Sequence, residues 1–225
     1  VDRQRSDGPT RLYTGVDGVM VPLITDAEKV KRRTKVVEKR RRCGKKCRPL
    51  PPRTRGVDRP FQEFKTVVFY DEHGKHWHVV LSRNSRTSVG AVIRREAQRL
   101  NFAAADERIA NVDGAPWIRE RLTERPDLLP LDGLGLDFYH LSENVHRARR
   151  KVFGEESDAG TTWAEALMHT FKHEGYQPAW DQLVAWRTEL RGKKREAADR
   201  LLNYVSGRWE MINYPEFRER GWQIG

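Results

Sequence analysis

Two Val-Asp-Gly triplets place a carboxylate beside apolar, β-branched residues. Asp17 lies inside an apolar run, and Asp113 ends the short run that begins at Ile109. A carboxylate next to a buried strand is costly to desolvate unless it is paired, hydrogen-bonded or bound to a cation. Carboxylates suit Mg²⁺ or Mn²⁺, and two such ions can bind the attacking and leaving oxygens of a phosphodiester. We therefore predict that Asp17 and Asp113 converge as metal ligands.

The alternative reading of each triplet is an ordinary turn. Asp-Gly is a common turn sequence, and either triplet alone is more often a hairpin tip than a metal site. The two triplets on two predicted strands, beside a strongly basic segment, favour metal binding over the turn.

Three blocks of the sequence resemble a known family. They are Thr14–Pro22, Asn111–Ile118 and Leu136–Asn144. The third block has the sequence Leu-Asp-Phe-Tyr-His-Leu-Ser-Glu-Asn. In this order and spacing they are similar to successive blocks of DDE transposases from bacterial insertion sequences. The closest likeness is to the Kra-type group, which is distantly related to mutator-like elements.

This resemblance implies an RNase H-like catalytic core. Asp17 and Asp113 would be the first two acids of the DDE triad, acting as catalytic residues and as ligands of a two-metal Mg²⁺ or Mn²⁺ site. Asp137 and His140 would be auxiliary residues on the following strand, near the site. The implied reaction is DNA cleavage and strand transfer by phosphoryl transfer, with transposon ends and target DNA as partners and a homo-oligomer on the DNA.

The third acid of the triad has no match in this chain. In the family it follows a Gly-Ser-Gly block shortly after a Tyr-Pro-x-Phe-Arg segment. Here Tyr214–Arg218 matches that segment, and Gly221–Gly225 begins the block. We therefore expect this chain alone to be an incomplete fragment with little strand-transfer activity. A catalytically inactive, nucleic-acid-binding RNase H-like module and an RNase H-like nuclease remain as alternatives.

The positive charge of the chain is concentrated in one segment. The formal net charge is +11, and residues 29–59 contain 15 Lys and Arg against two acids. Such a segment cannot bury a core of its own, so we predict an arm at 26–60 that is ordered by a polyanion such as DNA. The candidate nucleic-acid-binding residues are Lys31, Arg32, Arg33, Lys35, Arg40, Arg41, Arg42, Lys45, Lys46 and Arg48.

Cysteine usage and hydropathy indicate the compartment. Cys43 and Cys47 lie inside the basic segment without a second Cys pair or a nearby His pair, so we predict free thiols and not a structural zinc site. No apolar run approaches the roughly 20 residues that span a bilayer. We expect a cytoplasmic protein with no membrane partner, associated with the nucleoid of a bacterium.

Hydrophobic periodicity predicts the elements that carry these residues. The fold class is α/β: an RNase H-like mixed sheet flanked by helices, followed by a C-terminal helical region. The predicted domains are a core at 1–155 and a helical region at 156–225. The predicted strands are a bent pair over 12–24, a hairpin of 64–71 and 76–82, and two more at 109–113 and 134–140. The predicted helices are Ser88–Leu100 with Ser88 as N-cap, 117–122, Ser142–Phe153, 161–174, 178–191 and 193–211.

Overall fold

The computed structural model describes residues 10–22, 26–44, 49–52, 61–74, 77–83 and 85–225. Within them the strands are β1 (Arg11–Pro22), β2 (Phe61–Asp71), β3 (His78–Ser82), β4 (Glu107–Val112) and β5 (Gly133–Leu136). The helices are α1 (Asp26–Arg42), α2 (Arg86–Arg99), α3 (Pro116–Thr123), α4 (Phe138–Phe153), α5 (Asp158–His173), α6 (Tyr176–Glu189), α7 (Gly192–Ser206) and α8 (Tyr214–Glu219).

The five strands form one mixed sheet in the order β3-β2-β1-β4-β5. β2 is antiparallel to both of its neighbours, whereas β4 and β5 run parallel to β1. The predicted α/β class with a mixed sheet is therefore confirmed. β4 and β5 end side by side at Val112 and Leu136, and the carboxyl ends of parallel strands are where α/β sheets commonly bind ligands. β1 continues to Pro22, eight residues beyond its last pair with β4.

The prediction of a bent strand pair over 12–24 was wrong. β1 is a single strand whose antiparallel ladder with β2 continues without interruption from Leu12 to Pro22, and Asp17 lies opposite Thr66. The polar Asp-Gly step did not interrupt pairing because the ladder uses backbone groups alone, and the Asp17 side chain points to solvent. The hairpin prediction is confirmed, with Gly74 in a left-handed conformation between β2 and β3.

Two helix starts differ from the prediction. The N-cap of α2 is Ser85 and not Ser88, because the Ser85 hydroxyl accepts a hydrogen bond from the Ser88 amide. The strand predicted to continue to residue 140 ends at Leu136, and α4 begins at Phe138 with Asp137 as its N-cap. His140 therefore lies in the first turn of a helix, because the capping carboxylate overrides the β preference of Phe-Tyr-His.

The prediction that residues 26–60 form an arm without its own structure was wrong for the first half. Residues 26–42 form helix α1, which contains nine Lys and Arg. Lack of a core does not prevent a helix: Lys, Arg, Glu and Ala are good helix formers, and the segment contains neither Gly nor Pro. Four bases in the last turn also interact favourably with the helix dipole. Lys45, Lys46, Arg48 and Cys47 lie outside the described residues.

The three helices predicted after residue 161 are confirmed as α5, α6 and α7, although α7 ends at Ser206 and not at 211. One continuous cluster of buried apolar side chains extends from the sheet to these helices, with Val112, Leu136, Leu167 and Leu201 among its members. The division into two domains stays a prediction. No helix within the described ranges has the length and apolar character needed to cross a bilayer.

Candidate active site

Asp113 and Asp137 occupy matching positions at the ends of neighbouring parallel strands. The last pair of the β4–β5 ladder is Val112 opposite Leu136, and each aspartate is the next residue on its strand. The Asp137 amide donates a hydrogen bond of 2.8 Å to the Val112 carbonyl, so the backbones stay adjacent beyond the last pair. Adjacent strands are about 5 Å apart. The fold therefore brings these two acids side by side.

Asp17 lies at the same level one strand further on. β1 and β4 pair from Arg11 opposite Glu107 to Thr14 opposite Ala110, and the same register continued by three residues sets Asp17 opposite Asp113. The two strands are still close beyond the last pair, because a Cβ added to Gly15 would lie 3.6 Å from the Asn111 carbonyl oxygen. Continuing the registers of the two ladders beyond their last pairs assigns the three acids to one level across β1, β4 and β5, and we refer to them as the row Asp17–Asp113–Asp137.

The three carboxylates adjoin the main core. Each aspartate follows an apolar residue that is almost fully buried: Val16, Val112 and Leu136 are 3%, 2% and 0% exposed. Successive side chains of a strand point to opposite faces, so the exposed Asp17, inside β1, faces away from the core. Asp113 and Asp137 follow the last residues of β4 and β5 and are half-buried.

Each carboxylate of the row has one oxygen engaged by nearby backbone. Oδ1 of Asp17 accepts from the Gly18 amide at 2.6 Å. Oδ1 of Asp113 accepts from the Ala115 amide at 2.7 Å, and Oδ1 of Asp137 accepts from the Tyr139 amide at 2.8 Å. Within the described residues no hydrogen bond or ion pair reaches the second oxygen of any of the three. These bonds fix the carboxylates while leaving an oxygen on each for another ligand.

The donor set fits Mg²⁺ or Mn²⁺ chemically. These cations take carboxylate oxygens, and Mg²⁺ usually binds one or two carboxylates while its other positions hold water or phosphate oxygens. A pair of adjacent aspartates with one uncommitted oxygen each meets that requirement. Among the residues that the structure describes, no group of three or more His, Cys, Asp and Glu could hold a metal ion together.

Arg208 contacts the backbone of Asp113. Its Nε donates to the Asp113 carbonyl at 3.3 Å, and its Nη1 donates to the Tyr204 carbonyl at 3.1 Å. The guanidinium carbon lies 4.0 Å from the centre of the Tyr204 ring. Gly114, at φ +72°, leaves room for this side chain, since a Cβ there would lie 2.6 Å from Arg208 Nε.

Tyr204 is a neutral phenol that supports this arginine. The pKa of Tyr204 is raised to about 12, mainly by burial and also by the nearby Asp113 and Asp137 carboxylates, while Arg208 and a hydrogen bond with Asn144 oppose the shift. The Asn144 amide in turn donates to the His140 carbonyl at 2.8 Å and accepts from Arg147 at 3.1 Å. The end of α7 and the start of α4 are thus joined by polar contacts beside the row.

His140 is near the row along the chain but does not face an acid of it in the described contacts. It lies three residues after Asp137, and its Nδ1 is 3.4 Å from Glu143 Oε2 on the same helix. Only the backbone carbonyl of His140 connects it to Asn144 and so to Tyr204. The structure therefore gives Asp137 a position level with the predicted acids, and it gives His140 a place on the adjoining helix.

The basic helix α1 presents much of its charge to solvent. Lys31, Lys35, Arg41 and Arg42 are exposed, whereas Arg32 pairs with Glu28 at 2.7 Å and Arg33 donates to the Leu50 carbonyl. Arg40 is half-buried. Cys43 is an exposed thiol at the end of this helix.

Sequence reasoning missed Tyr204 and Arg208. Neither has a local signature: Tyr204 belongs to an ordinary amphipathic helix, and Arg208 follows its glycine C-cap. The chain was compared with models of protein families, with curated proteins and with solved structures, and none of the three comparisons gave a match.

Proposed function

We propose that this chain is the central part of a DDE transposase with an RNase H-like core, which cleaves and transfers DNA strands by metal-dependent phosphoryl transfer. The observation that carries the proposal is the Asp17–Asp113–Asp137 row. Asp113 and Asp137, 24 residues apart, directly follow paired residues of β4 and β5, and the β1–β4 register continued by three residues sets Asp17 opposite Asp113, 96 residues away. Two of them are the acids that the family resemblance selects.

The topology supports the RNase H-like part of the proposal. The strand order β3-β2-β1-β4-β5, with β2 antiparallel and β1, β4 and β5 parallel, is the arrangement expected of an RNase H-like sheet. In such a sheet the first acid belongs to the central strand β1 and the second to the end of its parallel neighbour β4. Asp17 and Asp113 have these positions.

In the proposed reaction the chain's own residues hold and orient the phosphodiester. Asp17 and Asp113 would hold the cations, and Asp137 would lie beside Asp113 at the end of the neighbouring strand. When bound, the cations supply Lewis-acid activation of the attacking oxygen and stabilise the departing oxygen. The hydrogen bonds from the Gly18, Ala115 and Tyr139 amides keep the carboxylates oriented before any ligand arrives.

A second candidate is a nucleic-acid-binding module that keeps this fold without catalysis. The hydrogen bonds that the three carboxylates accept from nearby backbone amides favour this candidate, because such bonds are also typical of turns and helix caps. In that case the exposed bases of α1 would be the functional feature, and the acids would only shape the strand ends.

Titration with Mn²⁺ by calorimetry separates the two candidates. The variant is Asp113→Asn, which keeps an acceptor for the Ala115 amide, and the control is Glu156→Gln, which removes one exposed carboxylate outside the row. The transposase proposal expects binding in the wild type and in the control, and a loss of at least about tenfold in Asp113→Asn. Binding that is equal in all three folded proteins would overturn the metal site and favour the binding module.

A strand-joining assay addresses the reaction itself. Labelled DNA ends with a free 3′-hydroxyl are incubated with target duplex, Mn²⁺ and the chain extended to its full coding sequence. Joined products that disappear in Asp113→Asn support a transposase. Cut target without joined product indicates a nuclease of the same fold instead.

A further inference from the structure

We propose that Arg208, held against Tyr204, binds a phosphate group of a polynucleotide that lies along the Asp17–Asp113–Asp137 row. This inference rests on the proposed function and names the contact that positions its substrate. It concerns a residue that the sequence motifs do not select.

The first argument is the unbalanced charge of Arg208. The side chain is half-buried, yet no carboxylate pairs with it in the part of the chain that the structure describes. Arg187, another half-buried arginine of the helical region, pairs with Asp199. A partly desolvated guanidinium without a counter-ion is stabilised when it meets an anion.

The second argument is the geometry of the free donors. A guanidinium has five N–H donors in a planar fork. Nε and one N–H of Nη1 donate to the carbonyls of Asp113 and Tyr204, which leaves three N–H groups without a partner among the described residues. Phosphate oxygens accept from such a fork with two parallel hydrogen bonds.

The third argument is that the side chain is held in place before a ligand binds. Tyr204 supports the flat face of the guanidinium, and two carbonyls fix its edge. The absence of a side chain at Gly114 provides the space. An arginine that is already oriented loses little conformational entropy on binding, so its contacts contribute more to affinity.

The position of Arg208 identifies the ligand as a phosphate next to the acids. Its Nε contacts the backbone carbonyl of Asp113, so an anion bound by the remaining donors would lie close to the end of β4. Carboxylates repel a phosphate, and a fixed cation at their edge offsets that repulsion even without a metal ion. A polynucleotide, and not a small anion, is favoured because the exposed bases of α1 offer further phosphate contacts on the same chain.

The test measures binding of a fluorescent single-stranded oligonucleotide by anisotropy in the presence of a chelator. Arg208→Gln removes the cation, and Arg208→Lys keeps the charge but not the fork. The control is Arg200→Gln on the preceding helix α7, an arginine whose side chain is 80% exposed. We expect Arg208→Gln to weaken binding about tenfold and to lower the salt slope by about 0.7, the value for one phosphate contact of a single strand. Arg208→Lys should lie between wild type and Arg208→Gln.

Two further ligands define what Arg208 recognises. An oligonucleotide with a neutral methylphosphonate backbone should bind wild type and Arg208→Gln equally. Inorganic phosphate should compete no better than chloride at equal ionic strength. Strong competition by inorganic phosphate would assign the residue to a free-phosphate site and overturn the polynucleotide contact.

The outcomes separate this inference from the proposed function, because the chelator removes any role of the metal. If Arg208→Gln and Arg208→Lys, both folded by circular dichroism, match Arg200→Gln in affinity and salt slope, the inference is wrong even when Mn²⁺ binds the row. If Mn²⁺ does not bind but the Arg208 effect is present, the phosphate contact stands and the catalytic proposal fails.

Discussion

Asp137 continues the contact of β5 with Val112 of β4 at the same residue that caps helix α4. Its amide completes the β5 contact with the Val112 carbonyl of β4, and its carboxylate caps α4 by accepting from the Tyr139 amide. One residue therefore ends a strand, starts a helix and sets a carboxylate level with Asp113. Mutation can therefore separate the capping role of Asp137 from the metal-binding role proposed for it.

Replacement of Asp137 by Asn and by Ala should divide these roles. Asn keeps an acceptor for the Tyr139 amide, so the free energy of unfolding should change by less than about 0.5 kcal/mol, whereas Ala should cost about 1 kcal/mol by removing the N-cap. Both variants should lower Mn²⁺ affinity, measured by calorimetry beside urea unfolding. Ser157→Ala, which removes the N-cap of α5, is the control that should lose stability alone. Wild-type Mn²⁺ affinity in Asp137→Asn would exclude this carboxylate as a ligand.

The exposed bases of α1 should control the salt dependence of DNA binding. Replacing Lys35, Arg41 and Arg42 together by Gln should lower the slope of log affinity against log salt on duplex DNA by about 2 to 3, since each lost phosphate contact contributes about 0.9. The control changes the same charge elsewhere by replacing the exposed Lys151, Lys193 and Lys194. Equal slopes for the two triple variants would show that only net charge matters and that α1 makes no specific contact.

Gly114 should be less tolerant of a side chain than other glycines with positive φ. Gly114→Ala adds backbone strain of about 1 to 2 kcal/mol and a clash with Arg208, whereas Gly192, at φ +54°, has nothing within 4 Å of an added Cβ. We expect Gly114→Ala to lower the free energy of unfolding more than Gly192→Ala does. In an Arg208→Ala background, which removes the Cγ, Cδ and Nε atoms that the added Cβ would meet, the difference should shrink, and a urea-unfolding cycle measures this. The same difference in both backgrounds would mean that Arg208 does not occupy this space.

Glu96 should make stability depend on acid pH. Hydrogen bonds from Arg99, and further ones with His78 and Arg95, lower the pKa of Glu96 from 4.5 to about 2 against the opposing effect of burial. Because the folded-state pKa is depressed, this stabilisation is fully present above about pH 4.5 and is lost as the pH falls toward 2. The two arginine partners are more than half exposed, so we expect about 1 to 2 kcal/mol after solvent screening.

The measurement for Glu96 is the difference in free energy of unfolding between wild type and Glu96→Gln across this pH range. The difference should favour wild type near pH 6 and shrink toward pH 2. Glu189→Gln, which removes an exposed carboxylate with no ion pair in the described ranges, should show no such trend. A Glu96 difference that stays constant down to pH 2.5 would argue against the pKa shift.

The sequence by itself determined the elements whose signals are local. Alternating apolar residues around Gly74 predicted the hairpin, and spacings of three and four predicted the helices after residue 161, because both patterns depend on residues close together in the chain. The two Val-Asp-Gly triplets selected Asp17 and Asp113 as candidate metal ligands for the same reason. Two local signals competed at Asp137 and Phe138. The β preference of Phe-Tyr-His predicted that the strand continues, but Asp137 acts as an N-cap and a helix begins at Phe138.

Only the tertiary structure decided which residues meet. The level of Asp17, Asp113 and Asp137 depends on the register of three strands, and a shift by one residue would move an acid to the opposite face. Arg208 reaches Asp113 across 95 residues of chain, through the packing of α7 against α4. Such contacts follow from how apolar faces pack together, and no short stretch of sequence contains that information.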